Sequence, residues 1–227
     1  MPLPPQAIGP IVNLGPAKRP ARVTLSGRRV TLVPLDAEAH ADALFPLANG
    51  GERDRVWTYL ADGPYDDPQA FKASIAAKAK SEDPLFFAVI DNASGSPVGY
   101  QTLMRIDAAN RVIEIGNVLY TPTMQRTIGA TEAQYLFAAY AFDTLGYRRY
   151  EWKCDARNAA SRRAAERLGF TFEGIFRQHM IVKGANRDTA WYSMLDGEWP
   201  DRRARLEQWL APENFDGEGR QRTRLVR

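Results

Sequence analysis

The chain has 227 residues, 44% hydrophobic and 25% charged, the balance of an ordinary globular protein of one elaborated domain or two small ones. Its longest apolar run, Tyr135 to Phe142, falls far short of the ~18–20 residues a membrane-spanning helix needs, so no membrane partner is expected. The formal charge of +3 is supplied by residues 217–227, four arginines against one glutamate, so the pI of 9.0 reports a basic tail and a nucleic-acid partner is not expected.

Residues 1–20 carry Pro2, Pro4, Pro5 and Pro10 and no hydrophobic period, which reads as an extended arm draped over the domain or a partner. No basic residue precedes Lys18, so neither a secretory signal nor a transit peptide is readable, and a cytoplasmic location is expected. From residue 28 the chain alternates at period two through Val30, Leu32 and Pro34, the pattern of a strand. Asp36 stands as a helix cap before Ala43, Leu44 and Leu47, and Asn49-Gly50-Gly51 stops that helix. Asp67-Pro68 opens a second helix with the stripe Phe71, Ile75 and Ala79. Three strands follow, Leu85 to Ile90, Pro97 to Ile106 and Arg111 to Tyr120, and the short turns between them predict an antiparallel meander.

A helix is expected from Gly129 to Leu145, with Gly146 as its stop. A strand over Tyr150 to Cys154 comes next, then a helix from Asn158 to Leu168-Gly169. Strands at Phe170 to Phe172 and Arg187 to Leu195 precede a closing amphipathic helix from Pro200. This order predicts a mixed α/β (α+β) sheet with helices on its faces. The organisation expected is an arm over 1–20, one domain over 21–210 and a basic, solvated tail over 211–227. The single cysteine, Cys154, excludes an internal disulfide and a four-cysteine zinc site. His40 and His179 are too far apart for a His-Glu-x-x-His pair, so no metal is expected.

The segment from Ile113 to Ala133 carries the chemistry. A strand ends at Tyr120, a short loop follows, and a helix begins near Gly129, where free amides and the helix dipole suit phosphate oxygens. Gly129, Ala130 and Thr131 are small enough to admit a ligand to the backbone, and Arg126 can add a charge-assisted bond. On spacing alone the stretch reads more readily as a plain strand–loop–helix connection with a small-residue cap.

Three elements in order resemble the GNAT superfamily of coenzyme-A-dependent N-acetyltransferases, and its RimJ/RimL-type branch in particular. The first is Gln125-Arg126-Thr127-Ile128-Gly129-Ala130, followed by Thr131-Glu132-Ala133. The second is Asn158-Ala159-Ala160-Ser161 with Leu168-Gly169-Phe170, and the third is Phe172-Glu173-Gly174-Ile175-Phe176-Arg177. The resemblance covers about residues 28–197. It implies a mostly antiparallel sheet of about six to seven strands flanked by helices, and acetyl transfer from acetyl-CoA to an amine acceptor by direct attack, without a metal. One position departs, because Ile128 stands where the family has its middle glycine. A β-branched residue at positive φ would cost roughly 1–2 kcal/mol, so the loop is expected to enter the helix with ordinary right-handed angles.

The resemblance implies that backbone groups of Leu119 and Tyr120 pair with the pantetheine arm and that amides over Gln125, Arg126, Thr127, Ile128, Gly129, Ala130 and Thr131 hold the pyrophosphate. It also implies that Asn158 faces the cofactor arm and that Ser161 protonates the departing thiolate. By residue type alone, Asn158 is a helix cap and Ser161 a surface serine. Glu114 is the candidate general base, a carboxylate in an apolar strand that is costly to bury unless paired. The competing expectation makes it a partner of Arg105 or Arg111. Cys154 reads as a buried small residue, and His40 and His179 as structural or exposed. The helices between Asp36 and Lys80, with Trp57, Tyr59 and Tyr65, and the loop around Gly184-Ala185-Asn186 are expected to shape the acceptor side. A homodimer is compatible with the sequence. The alternatives from other classes are a non-catalytic acyl-CoA sensor or partner-binding module, and RNA association through Arg220, Arg222, Arg224 and Arg227.

Overall fold

The computed structural model describes residues 8–12 and 14–225; residues 1–7 and 13 of the expected arm, and 226–227 of the tail, lie outside the described residues. Eight strands form one sheet in the order β1-β2-β3-β4-β5-β6-β8-β7, antiparallel throughout except between β5 and β6. The strands are β1 (Leu25–Ser26), β2 (Val30–Pro34), β3 (Leu85–Asp91), β4 (Pro97–Asp107), β5 (Val112–Tyr120), β6 (Arg149–Asp155), β7 (Thr171–Val182) and β8 (Ala185–Leu195). The helices are α1 (Ala37–Ala48), α2 (Pro68–Lys80), α3 (Ile128–Ala139), α4 (Ala159–Arg167) and α5 (Trp199–Leu210).

Local chemistry starts the helices where the sequence placed them. Asp36 accepts the Ala39 amide at 2.8 Å, Asp67 accepts those of Gln69 and Ala70, and Asn158 accepts that of Ser161 at 3.0 Å. Strand alternation then sorts the sheet's two faces. Leu32, Phe87, Leu103, Ile113 and Ile115 pack with Phe137 of α3, Leu168 after α4 and Leu206 of α5. Phe86, Ala88, Tyr100 and Leu119 pack with Leu44 of α1 and with Phe71 and Ile75 of α2. Among the described residues no helix is long and apolar enough to cross a membrane.

Several elements differ from the sequence expectation. The eighth strand is β1, two residues long and therefore without a readable period. The edge strand β7 runs for 12 residues, far past the expected Phe172; most of its residues are exposed, so no alternation marks it. The helix expected to reach Leu145 ends at Ala139 and continues as a π turn over Tyr140–Thr144. A 3-10 turn over Gly51–Trp57 follows α1, where the sequence predicts only the stop of that helix. The basic tail folds back on α5. Trp209 Nε1 donates to Gln221 Oε1 at 2.9 Å, and Asn214 brackets Thr223 through both its side-chain atoms. The arm also lies against the sheet, with Ala17 N donating to Ala108 O and Lys18 N to Leu145 O.

Candidate active site

β5 and β6 run side by side only from Val112↔Arg149 to Ile115↔Trp152. Beyond that pair each keeps its outer neighbour, β5 pairing with β4 to Tyr120↔Gly99 and β6 with β8 to Asp155↔Thr189. The two strands therefore part into a fork whose inner edges have no strand partner among the described residues. The cause is local. The β4–β5 register shifts between Tyr100 and Thr102, and Asn117 of β5 sits at φ 46, a residue type that tolerates this region. The Met104 thioether packs over Gly116 at this bend, with Sδ 2.3 Å from where a Cβ would stand.

At the outer end of β5 the chain enters a loop anchored by buried Met124, with the Met124 and Gln125 amides both donating to Thr121 O. Gln125, Arg126 and Thr127 are exposed, so the loop is not covered by side chains from elsewhere. Thr127 caps α3, its Oγ1 accepting the Ala130 amide at 3.1 Å. Among the described residues the Arg126, Ile128 and Gly129 amides have no backbone partner. The positive φ of this loop falls on Arg126 (63°), and Ile128 enters the helix without one, as expected. Two expectations change. The side-chain position of Gly129 faces β2 and lets α3 approach it, since a Cβ would meet Val30 Cγ1 at 2.9 Å. Thr131 is buried and its hydroxyl accepts from Arg167 Nη1 at 3.0 Å. The Tyr120 carbonyl accepts from the Gln125 side chain at 2.9 Å, and the Tyr120 ring is locked below α3 by Gln101 and Gln134.

Glu114 and Ser161 lie on opposite faces of the sheet. Glu114 is buried, with Oε2 2.8 Å from Lys153 Nζ and 3.4 Å from Arg105 Nε. Burial pushes its carboxyl above the usual range, against the pull of Lys153 and Arg105. Arg111, the other expected partner, instead donates to the carbonyls of Gly15 and Gly146. On the other face Ser161 Oγ accepts from Trp152 Nε1 at 3.0 Å. The neighbouring Cys154 thiol is pushed up by burial, so it stays protonated.

Residues 29–171 match the family model described as "Acetyltransferase (GNAT) domain", well over half of the chain. The chain belongs to the GNAT acetyltransferase family. A crystal structure of a GCN5-related N-acetyltransferase from Brucella melitensis superposes with a TM-score of 0.92 at 53% identity, over 94% of this chain and 96% of that one. A Bacillus subtilis relative named "Putative ribosomal N-acetyltransferase YdaF" is 34% identical over 105 residues, 46% of this chain and 57% of that protein's length. The microcin C7 self-immunity acetyltransferase MccE, in complex with acetyl-CoA and AMP, shares the fold at 21% identity and a TM-score of 0.64, over 74% of this chain and 93% of that one.

Against this GNAT frame the remaining expected residues sort clearly. Trp57 is core, its indole donating to Ala48 O at 2.8 Å, and Tyr65 is tied to Asp62 and Ser74. Tyr59 alone of the three aromatics is exposed, its hydroxyl 3.3 Å from Arg157 O. Lys183, next to the Gly184 turn, donates to Trp57 O at 2.8 Å and so joins the β7–β8 hairpin to the 3-10 turn. His40 accepts the Asp36 amide, with burial lowering its pKa, and His179 contacts Thr189 Oγ1. Sequence reasoning missed Lys153 and Trp191, whose ring centroid lies 3.6 Å from Lys153 Nζ. Their only advance signal is a lysine and a tryptophan in strands otherwise read as core. Among the described residues no cluster of His, Cys, Asp and Glu is placed to hold a metal.

Proposed function

We propose that the protein is an acetyl-CoA-dependent N-acetyltransferase that moves the acetyl group to a primary amine by direct transfer. The observation that carries this reading is the β5–β6 fork ending in an exposed loop with free amides, on a chain of the GNAT family. The fork suits the pantetheine arm as an added strand along the backbone of Leu119 and Tyr120. The loop from Gln125 to Ala130 suits the pyrophosphate, through the Arg126, Ile128 and Gly129 amides and the Arg126 side chain. Bound acetyl-CoA supplies the thioester carbonyl.

The chain's own residues then align and deprotonate. The fork connects the two faces, so an amine held on the Glu114 face can reach a thioester threaded from the Ser161 side. Glu114 accepts the amine proton as the N–C bond forms, and Ser161 returns a proton to the leaving thiolate as the C–S bond breaks. Asn158 orients Ser161 by capping its helix turn. A neutral amine costs roughly 1 kcal/mol at pH 7 for an α-amino group and about 4–5 kcal/mol for a lysine side chain. A carboxylate base therefore suits an α-amine, and the ribosomal name of the B. subtilis relative points toward peptide N-termini.

We read residues 21–210 as the transferase unit, working in the cytoplasm, where a free buried Cys154 is at home. A second copy of the chain is a fitting partner for the edge strand β7, which leaves Phe176 and Ile181 52% and 82% exposed; light scattering reads that state. Thiol release from acetyl-CoA across small amines and N-terminal peptides tests the activity. Wild type should turn over at least one, Glu114→Gln should fall by about 10²-fold or more and Ser161→Ala by less. Stoichiometric coenzyme A binding without release across the panel would reject the enzyme reading.

A further inference from the structure

We propose that Lys153 is a positioning residue of the transfer site: its ammonium group, at the mouth of the fork, holds Glu114 aligned and ionised to receive the amine proton. This rests on Glu114 serving as the base, and it adds a second residue to that function.

The register explains why a cation is needed there. Glu114 of β5 stands directly opposite Glu151 of β6, two carboxylates on one face of adjacent strands. Left alone, such a pair shares a proton, because like charges at that spacing disfavour double ionisation. Lys153 lies two residues beyond Glu151, on the same face, just past the last β5–β6 pair. Its stem reaches back across the vertex of the fork, so that Nζ sits 2.8 Å from Glu114 Oε2 and 2.8 Å from Glu151 Oε2.

The lysine is enclosed. Its side chain is 5% exposed, and the Trp191 ring of β8 lies against the ammonium. The other cation near Glu114 is Arg105 of β4, at 3.4 Å on a side chain 58% exposed, where solvent weakens the interaction. Glu151 is held from its far side as well, by Arg149 at 2.7 Å, which in turn binds Glu173 of β7. Lys153 is therefore the enclosed cation on which Glu114 depends. It also fixes which oxygen is free. Lys153 and Arg105 both take Oε2, and Oε1 has no partner among the described residues. Oε1 is the oxygen on the Gly116 side, 3.7 Å from where a Cβ of that residue would stand.

The test reads Glu114 directly in the full chain, by carbon-13 NMR titration of glutamate-labelled protein, with the Glu114 signal identified by its loss in Glu114→Gln. Lys153→Met should raise the Glu114 midpoint by about one pH unit or more, and Lys153→Arg should leave it within about half a unit of wild type. Glu151→Gln should lower it, because a like charge is removed and Lys153 serves Glu114 alone. Any ion pair at 2.8 Å would move these midpoints, so the positioning role is read in turnover. Lys153→Met should lower kcat with little change in KM and move the acidic limb of the kcat–pH profile with the Glu114 midpoint. An unchanged kcat and profile overturn the proposal. An unshifted midpoint in Lys153→Met, or an equal rise in Lys153→Arg, overturns the proposal. Should Lys153→Met fail to fold, Lys153→Gln, which keeps a polar stem without the charge, should give the same rise, and an unshifted Glu114 midpoint there overturns the proposal. If the midpoints shift as expected while Glu114→Gln retains full acetyl transfer, the base reading fails and the Lys153 coupling stands.

Discussion

Replacing Glu132 by alanine removes the acceptor for three consecutive backbone amides 102–104 residues away. Glu132 Oε1 accepts from Arg28 N at 2.9 Å, and Oε2 accepts from Arg29 N at 2.6 Å and Val30 N at 2.9 Å. A bond to a charged group contributes roughly 1.5–3 kcal/mol net. The three are not equal, however. Arg28 and Arg29 are exposed, so water takes over much of their loss, whereas Val30 is 1% exposed and its amide would be orphaned. The full cost at Val30 and a fraction at the other two give about 2–4 kcal/mol. For a chain of this size that lowers the melting temperature by about 4–16 °C. Glu132→Gln keeps one carbonyl oxygen, enough for Arg29 and Val30, and should cost only about 1 kcal/mol. Guanidinium unfolding of the three proteins reads the free energies, and hydrogen exchange at Val30 reads the cause. A Glu132→Ala cost below about 0.5 kcal/mol, or unchanged protection at Val30, would refute the reasoning.

Ile128→Gly should cost about 0.5–1 kcal/mol and leave coenzyme A affinity by calorimetry no tighter, since the strained position is Arg126. A several-fold gain in affinity would contradict that. Gly129→Ala should destabilise by about 1–3 kcal/mol, because its Cβ would press on Val30 at the α3–β2 contact; an unchanged melting point would argue against so close an approach. Stability should also fall in acid. Arg149 holds the Glu173 carboxyl below the usual range; at Glu151 and Asp62 burial pushes up, but Lys153 with Arg149 and Lys78 with Tyr65 outweigh it. Depressed folded values mean stability that is present at neutral pH, begins to fade near the ordinary carboxyl range of about 4, and is lost as pH drops through the folded values. Glu114 works in the opposite sense, since its raised folded value adds stability as pH falls through that value toward the ordinary carboxyl range. Melting temperature should thus hold or rise slightly on first acidification and drop below about pH 4.5. A flat profile to pH 3 would show that these pairs contribute nothing to folding.

The features legible from the sequence are those whose partners lie within a few residues. Asp36, Asp67 and Asn158 cap amides two or three positions ahead, so the starts of α1, α2 and α4 follow from residue type alone. The loop before α3 is equally local, although its cap, Thr127, stands two residues ahead of the start expected at Gly129. The fold order follows from alternation and turn residues, except where strands are too short, as in β1, or exposed on both faces, as in β7. What tertiary structure decided is which distant groups meet. The fork depends on a one-residue register shift between β4 and β5, which no single strand's pattern reveals. Glu132 reads only as the middle residue of Thr131-Glu132-Ala133 until β2 is docked on α3. Glu114 reads as an isolated carboxylate, or as a neighbour of Arg105 or Arg111. Only the parallel pairing of β5 with β6 brings Lys153, 39 residues on, to its oxygen. Capping is settled by backbone geometry over one turn, whereas a buried charge takes its partner from whichever strand the hydrogen-bond ladder sets beside it.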